Sequence, residues 1–292
     1  MLLTVFTPTY NRAHTLPRLY ESLKRQTLGD FEWLIVDDGS TDSTRGLVEE
    51  WIGEGEISIR YIYQDNGGKP SAHNRGAMES LGELFICVDS DDYLTDDAVR
   101  LIGEAWKNAD EGKVGIIGYK ALADGEAVTR IADTRVESFT LKAGYDSHGL
   151  TGDTALIFKA QVLKGFAFPR FDGEKFIPEG YLYDMIDTVG ELIVLREEIY
   201  VCEYLGDGYT ANMKRILYKN PNGYFAYINN RLRIDRGAKH KILDSVRYMA
   251  MAIAHKKKGK IRSAVYPAYA LFAYPLGWLL YTRDFKRYRN EK

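Results

Sequence analysis

The stretch "LFICVDSDDYLTDDA" (84–98) runs from five apolar residues straight into five carboxylates: Asp89, Asp91, Asp92, Asp96 and Asp97. A short apolar run that ends abruptly in turn-forming residues predicts a strand buried on both faces, as in a parallel sheet. Like charges at the end of such a strand form a solvated turn, or they wait for something positive. Upstream, the same pattern recurs. "LLTVFT" (2–7), "FEWLIVDD" (31–38) and "ISIRYIYQ" (57–64) read as strands, and "KVGIIGYKAL" (113–122) follows as another. Between them lie helical segments. Leu16, Leu19, Tyr20 and Leu23 fall at i, i+3, i+4, i+7, and Leu47, Val48, Trp51 and Ile52 share one face behind an N-cap at Asp42 or Ser43. Residues 70–81 and 95–108 complete the set. Regular alternation of this kind predicts βαβ units, with helices on both faces of a mixed, mainly parallel sheet.

Ligands of such sheets bind at the carboxyl ends of the strands, so those ends carry the function. The first strand ends in "TPTYNR" (7–12), a shaped turn whose N–H groups can face an anion. The second ends in "DDGSTD" (37–42). One reading is a capped turn, and the other has Asp37 or Asp38 accepting a hydrogen bond from a ribose hydroxyl or a base N–H. The third leads into "DNGGKPSAHNRG" (65–76), where Gly67 and Gly68 admit close backbone approach and Lys69, His73 and Arg75 add positive charge suited to a diphosphate. The GxxxxGK[ST] spacing is absent, which argues against a P-loop. At the fourth end, Asp89, Asp91 and Asp92 crowd together as oxygen ligands for a hard divalent ion such as Mn²⁺ or Mg²⁺, while Asp96 and Asp97 read as first-turn acids of the next helix.

"FTPTYNR", "FEWLIVDDGSTD", "NGGKPSAHNRG" and "VDSDD", in that order, resemble the successive motifs of glycosyltransferase family 2 over about residues 1–100. The resemblance implies the GT-A fold, a Rossmann-like nucleotide-diphospho-sugar transferase. It also implies an inverting, metal-dependent transfer from a nucleotide-sugar, most simply a UDP-sugar, to an acceptor hydroxyl in polysaccharide or glycolipid synthesis. Thr7, Pro8, Thr9, Tyr10, Asn11 and Arg12 with Asp38 would hold the nucleoside, Asp37 would support that turn, and Lys69 would lie near base or diphosphate. Asn66, Gly67, Gly68, Asn74 and Ser90 belong to the same donor-binding set, and Asp89 would lie near ribose or metal, with Asp91 and Asp92 closest to the metal. The family's base is an Asp or Glu, often in an acidic pair before a helix. The matching stretch here is "EKFIPEGYLYDMI" (174–186), which offers Glu179 as the base and Asp184 in reserve, although Gly180 follows Glu179 and the pair is missing. Asp153 would contact donor or acceptor sugar. Two rival functions are a polyprenyl-phosphate sugar transferase and a catalytically silent nucleotide-sugar-binding scaffold.

With 45% apolar residues in 292, the chain can build a full core. The two cysteines, Cys87 and Cys202, form neither a disulfide framework nor a thiolate metal site, which suits a reducing cytoplasm. The apolar start lacks a basic n-region and reads as a strand, not a signal peptide. We expect a GT-A catalytic domain over 1–210, with a nucleotide-binding half (1–122) and an acceptor-binding half (123–210), followed by a helical, basic extension over 211–292. Residues 231–292 carry 16 Lys/Arg against 4 Asp/Glu, so this end is +12 and the rest of the chain −14. The acidic body excludes nucleic acid as a partner. A charge-free segment, "AVYPAYALFAYPLGWLLY" (264–281), lies between basic runs. We expect residues 255–289 to lie on an anionic membrane surface on its cytoplasmic face; a helix packed on the protein and a membrane span are the other readings. A glycan or lipid-linked glycan acceptor would suit that placement.

Overall fold

The computed structural model describes residues 1–203, 209–234 and 237–290. The predicted strands form as β1 (Leu3–Thr9), β2 (Phe31–Asp37), β3 (Ile59–Tyr63), β4 (Leu84–Cys87) and β6 (Lys113–Leu122), with a two-residue β5 (Tyr93–Leu94) after the acidic turn. Beyond them come β7 (Arg130–Ile131), β8 (Ser138–Phe139), β9 (Leu150–Thr151), β10 (Thr154–Lys159) and β11 (Glu191–Cys202). The large sheet has the order β3-β2-β1-β4-β10-β6-β11-β5, with β8 also on β11, while β7 and β9 pair apart. Strands β3, β2, β1 and β4 are mutually parallel and β6 is parallel to β11, whereas β10 runs antiparallel between β4 and β6. Mainly parallel and mixed is therefore the observed architecture.

Period-two alternation explains why both faces are covered. Leu3 and Val5 of β1, Trp33 and Ile35 of β2, and Leu84 and Ile86 of β4 face a core built with α1 (Leu16–Lys24), α2 (Thr44–Glu54) and α4 (Ala98–Trp106). There Tyr20, Trp33 and Trp51 stack, with Tyr20 and Trp51 centroids 4.4 Å apart. Phe6 and Phe85 point to the opposite face and stack at 5.2 Å under α3 (Lys69–Glu79). Helix α3 comes so close that a Cβ on Gly76 would lie 2.3 Å from the Phe6 ring.

The chain divides into two compact units, Met1–Ala167 with Ile186–Tyr204, and Phe168–Met185 with Leu205–Lys292. Besides its sheet the first holds the short helices α5 (Leu141–Ser147) and α6 (Ala160–Leu163). The second is helical. It contains most of α7 (Gly180–Ile186), then α8 (Tyr209–Lys219), α9 (Pro221–Arg233), α10 (Gly237–Ala254) and α11 (Pro267–Asp284), around buried Ile228, Leu232, Tyr248 and Met249. Segment 168–185 thus groups with the basic helices rather than with the sheet.

Candidate active site

Three βα turns at the carboxyl edge of the sheet are tied together by carboxylates. Asp37, fully buried, accepts from the backbone N–H of Ser40 at 2.7 Å and from the Tyr61 hydroxyl at 2.5 Å. It holds its own turn, the supporting role the resemblance implies. Asp38, also buried, reaches the next loop: one oxygen accepts from Gln64 Nε2 (2.7 Å) and Gly67 N–H (2.9 Å), the other from Gly68 N–H (2.7 Å). Its carboxylate therefore shapes the Gly-Gly turn, with three donors already occupying it. Gly68 sits at φ +85°, a conformation glycine adopts without strain, and Gly39 at φ +87° packs against Asn66.

Asn11 is a non-glycine residue at φ +53°. Its N–H donates to Ser40 Oγ at 2.8 Å and its Oδ1 accepts from Thr41 N–H at 2.8 Å, so the turns after β1 and β2 are cross-linked. Asp42 Oδ1 accepts from Thr44 N–H at 3.0 Å and so caps α2 from one residue before its N-cap Ser43. Of the remaining candidates here, Thr7 is fully buried and its hydroxyl accepts from the Trp33 indole at 3.0 Å, so its side chain belongs to the core and not to the strand end. Thr9 is buried with its hydroxyl lacking a hydrogen-bond partner among the described residues, Pro8 and Arg12 are half-buried, and Tyr10 is exposed.

After β4 the acids separate. Asp89 forms an ion pair with Lys69 at 2.6 Å, the lysine being the first residue of α3. Asp92 is turned inward: Tyr200 O–H donates to Oδ2 at 2.6 Å and Glu203 N–H to Oδ1 at 3.0 Å. Burial and the nearby Asp89 charge push its pKa up to about 6, with the Tyr200 hydrogen bond opposing. Asp91 is half-buried, has no ion-pair partner among the described residues, and is likewise raised by burial and by Asp89. Arg18 anchors the turn, donating to the Asp91 carbonyl and pairing with Glu203 at 2.7 Å. Ser90 is buried in this turn.

Among the described residues no three acidic, His or Cys side chains converge into a metal cage. Of the three expected ligands, Asp92 already accepts from the Tyr200 hydroxyl and the Glu203 N–H. The remaining donors still fit a divalent ion of the Mg²⁺ or Mn²⁺ type. Such ions use one or two carboxylates together with water and phosphate oxygens, and Asp91 is a carboxylate whose burial and Asp89 neighbour are offset only in part by the Arg12 and Lys69 charges. Asp96 and Asp97 serve structure as expected, by another route. Asp96 pairs with Arg25 at 3.0 Å, and Asp97 accepts from Thr27 at 2.6 Å and Arg100 at 3.1 Å.

Two expected cations lie elsewhere. His73 is buried edge-on against Phe6 and Phe85, and Arg75 pairs with Glu79 on its own helix at 3.0 Å. Asn74 is half-buried on α3. Asp153 is exposed just before β10; the antiparallel register Ile157↔Ile86 brings it to the same sheet edge as Asp89. In the helical unit, Glu179 precedes α7 and accepts from the Tyr183 hydroxyl at 3.3 Å. Asp184 is buried with Arg231, at 3.2 Å, and Arg231 also meets Asp244 at 3.0 Å. Paired in this way, Asp184 neutralises a buried guanidinium and is poorly placed to take a proton.

Sequence reading missed Tyr200, Arg18, Gln64 and Tyr61. Tyr200 accepts from Asp89 N–H at 3.1 Å while donating to Asp92, and the Lys120 ammonium lies 3.9 Å from its ring centroid. Nothing local marks it: it is one aromatic residue in a strand more than 100 positions from its partners.

The family model for glycosyl transferase family 2 matches residues 4–160. The chain is 37% identical over 100 residues to the chondroitin synthase of Pasteurella multocida, a match covering 34% of this chain and 10% of that protein. It spans about two fifths or less of the length of the curated relatives it matches. Among solved structures, S. aureus TarS 1-349 in complex with UDP-GlcNAc superposes with a TM-score of 0.61 at 18% identity, covering 94% of this chain and 79% of that one. The mannosyltransferase PcManGT of Pyrobaculum calidifontis, in complex with GDP-Man and Mn²⁺, superposes with a TM-score of 0.53 at 18% identity, covering 97% and 88%. The fold is GT-A, and with more than half of its length matched the chain belongs to glycosyl transferase family 2.

Proposed function

We propose that the chain is a metal-dependent, inverting glycosyltransferase that moves a sugar from a nucleotide-sugar, most simply a UDP-sugar, to an acceptor hydroxyl during assembly of a cell-surface polysaccharide or glycolipid. The observation that carries this reading is the Lys69–Asp89 pair beside Asp91, which has no ion-pair partner among the described residues, at the carboxyl ends of parallel strands in a family 2 chain. The UDP-GlcNAc held by one structural neighbour, the Mn²⁺ and GDP-Man held by another, and the polysaccharide named for the Pasteurella relative lend it support. The turns crosslinked by Asn11 and Asp38 receive the nucleoside, and Lys69 at the start of α3 meets the diphosphate. A divalent ion held by Asp91, with Asp89, would neutralise charge on the departing diphosphate. Glu179 is the base that takes the acceptor hydroxyl proton, its orientation fixed by Tyr183.

Thermal shift with UDP and GDP, with and without Mn²⁺, followed by donor hydrolysis, tests the proposal. UDP together with Mn²⁺ should raise Tm by several degrees, and EDTA should abolish the gain. Stabilisation that is indifferent to EDTA would remove the metal from the scheme. Glu179→Ala should lower transfer to a hydroxyl acceptor while leaving UDP binding unchanged; full activity would instead favour an acceptor that is already an anion.

A further inference from the structure

Helix α11 is apolar on every side, yet its sizes are distributed the wrong way round for a helix that serves only its own core. Through the middle of the helix the buried positions Ala270, Ala273 and Gly277 are small, the larger Tyr281 and Asp284 being buried only toward its C-terminal end; a Cβ on Gly277 would meet Met249 at 2.6 Å, so this side lies tight against α10. The large residues of that middle stretch point outward. Phe272 is 82% exposed and Trp278 50%, and Leu271, Leu276 and Leu279 are each more than half exposed. At 100° per residue these side chains, with Pro275 among them, form one continuous strip of about two and a half turns unbroken by charge. A strip of this kind marks an interaction surface.

Charge identifies the occupant. Residues 255–290 contain nine Lys/Arg and one acid, Asp284, which is itself held by Arg283 and Lys214. The bases precede the strip at Lys256, Lys257, Lys258, Lys260 and Arg262 and follow it at Arg283, Lys286, Arg287 and Arg289. A second copy docked on the same strip would bring like charge against like charge. Among the described residues no helix is long and apolar enough to cross a membrane. We propose that α11 is an interfacial anchor. It would lie along an anionic lipid surface, with Leu271, Phe272, Leu276, Trp278 and Leu279 at the headgroup–acyl boundary and the flanking bases on lipid phosphates. The proposal stands apart from the donor-site reading.

Trp278 supplies the probe, because Trp33, Trp51 and Trp106 are buried and it is the one solvent-exposed tryptophan. The full chain is sedimented with vesicles of phosphatidylcholine alone or with one third phosphatidylglycerol, and its emission is recorded. Binding should require phosphatidylglycerol, weaken as salt rises, and shift emission to the blue, a shift that Trp278→Phe abolishes. Phe272→Ser with Leu276→Ser should lower partitioning at least about tenfold without lowering Tm, since both side chains are exposed. Should that variant fold poorly, quenching of Trp278 by brominated acyl chains in the wild type decides instead. Absence of binding to either vesicle, binding with no change at Trp278, or a dimer in solution that the serine variant dissociates would each overturn the proposal.

Discussion

At the residue scale, the acidic turn after β4 assigns different work to carboxylates that the sequence cannot tell apart. Asp92 is spent on Tyr200 and Glu203, Asp89 on Lys69, and Asp91 has no ion-pair partner among the described residues, the Arg12 and Lys69 charges offsetting its burial and Asp89 only in part. Asp91→Asn should therefore remove the Mn²⁺-dependent part of UDP stabilisation and lower transfer about 100-fold or more, as expected when several kcal/mol of charge stabilisation are lost. Parallel titrations of wild type and variant by thermal shift and transfer assay would check this. Asp38→Asn makes a second case. An amide in place of the oxygen that accepts from Gly68 sets donor against donor, which costs about 1–3 kcal/mol if unrelieved. Faster amide exchange at Gly67 and Gly68, with weaker UDP binding, is the expected result. The four motifs mark the strand-end turns because strand ends and turn glycines have local signatures. The division of labour was illegible, since Tyr200, Gln64 and Tyr61 reach these acids from elsewhere in the chain.

At the scale of elements, strands read best where their residues are buried on both faces. The predicted span 113–122 coincides with β6, and β2 and β4 lie within their predicted runs. What could not be read was pairing. The run "ALIF" (155–158) has a strand's composition, yet its insertion antiparallel between β4 and β6 depends on partners 35 or more residues distant. Likewise, the buried Arg231 that captures Asp184 leaves no trace near residue 184. Gly76 tests an element interface directly. Phe6 is fully buried and packed by Phe85 and His73, so its ring has nowhere to retreat from a new Cβ at 2.3 Å. Gly76→Ala should destabilise by about 1–3 kcal/mol despite alanine's better helix propensity. A lower urea midpoint at unchanged m-value would register this, whereas a stabilised protein would mean that α3 is not docked as described.

At the scale of the whole molecule, the charged groups divide into two sets whose contributions to stability run in opposite directions with pH. Hydrogen bonds from Arg283 and Lys214, against the effect of burial, hold Asp284 down to about 2, and Lys113 with Ser138 lowers Glu191. Stability from such groups is present above about pH 4 and is lost as acid protonates them. Asp92 has the opposite sign. Burial and Asp89 raise it to about 6, so the folded state holds that proton more tightly than the unfolded chain, and its contribution is complete below about pH 4 and lost as pH rises through 6. For a buried carboxyl the loss amounts to about 2–3 kcal/mol. Comparing Tm against pH for wild type and Asp92→Asn in EDTA isolates this contribution, because all other groups are shared. Wild type should lose stability relative to the variant between about pH 4 and 6. A divalent ion with UDP should reverse that trend, since a cation beside Asp91 and Asp89 favours the ionised forms and releases protons on binding. The ligand-induced shift in Tm should therefore shrink as pH falls below 6. Identical pH profiles for wild type and variant in EDTA would mean that the buried Asp92 carries no such cost, and a ligand shift independent of pH would mean that the acidic turn does not receive the ion.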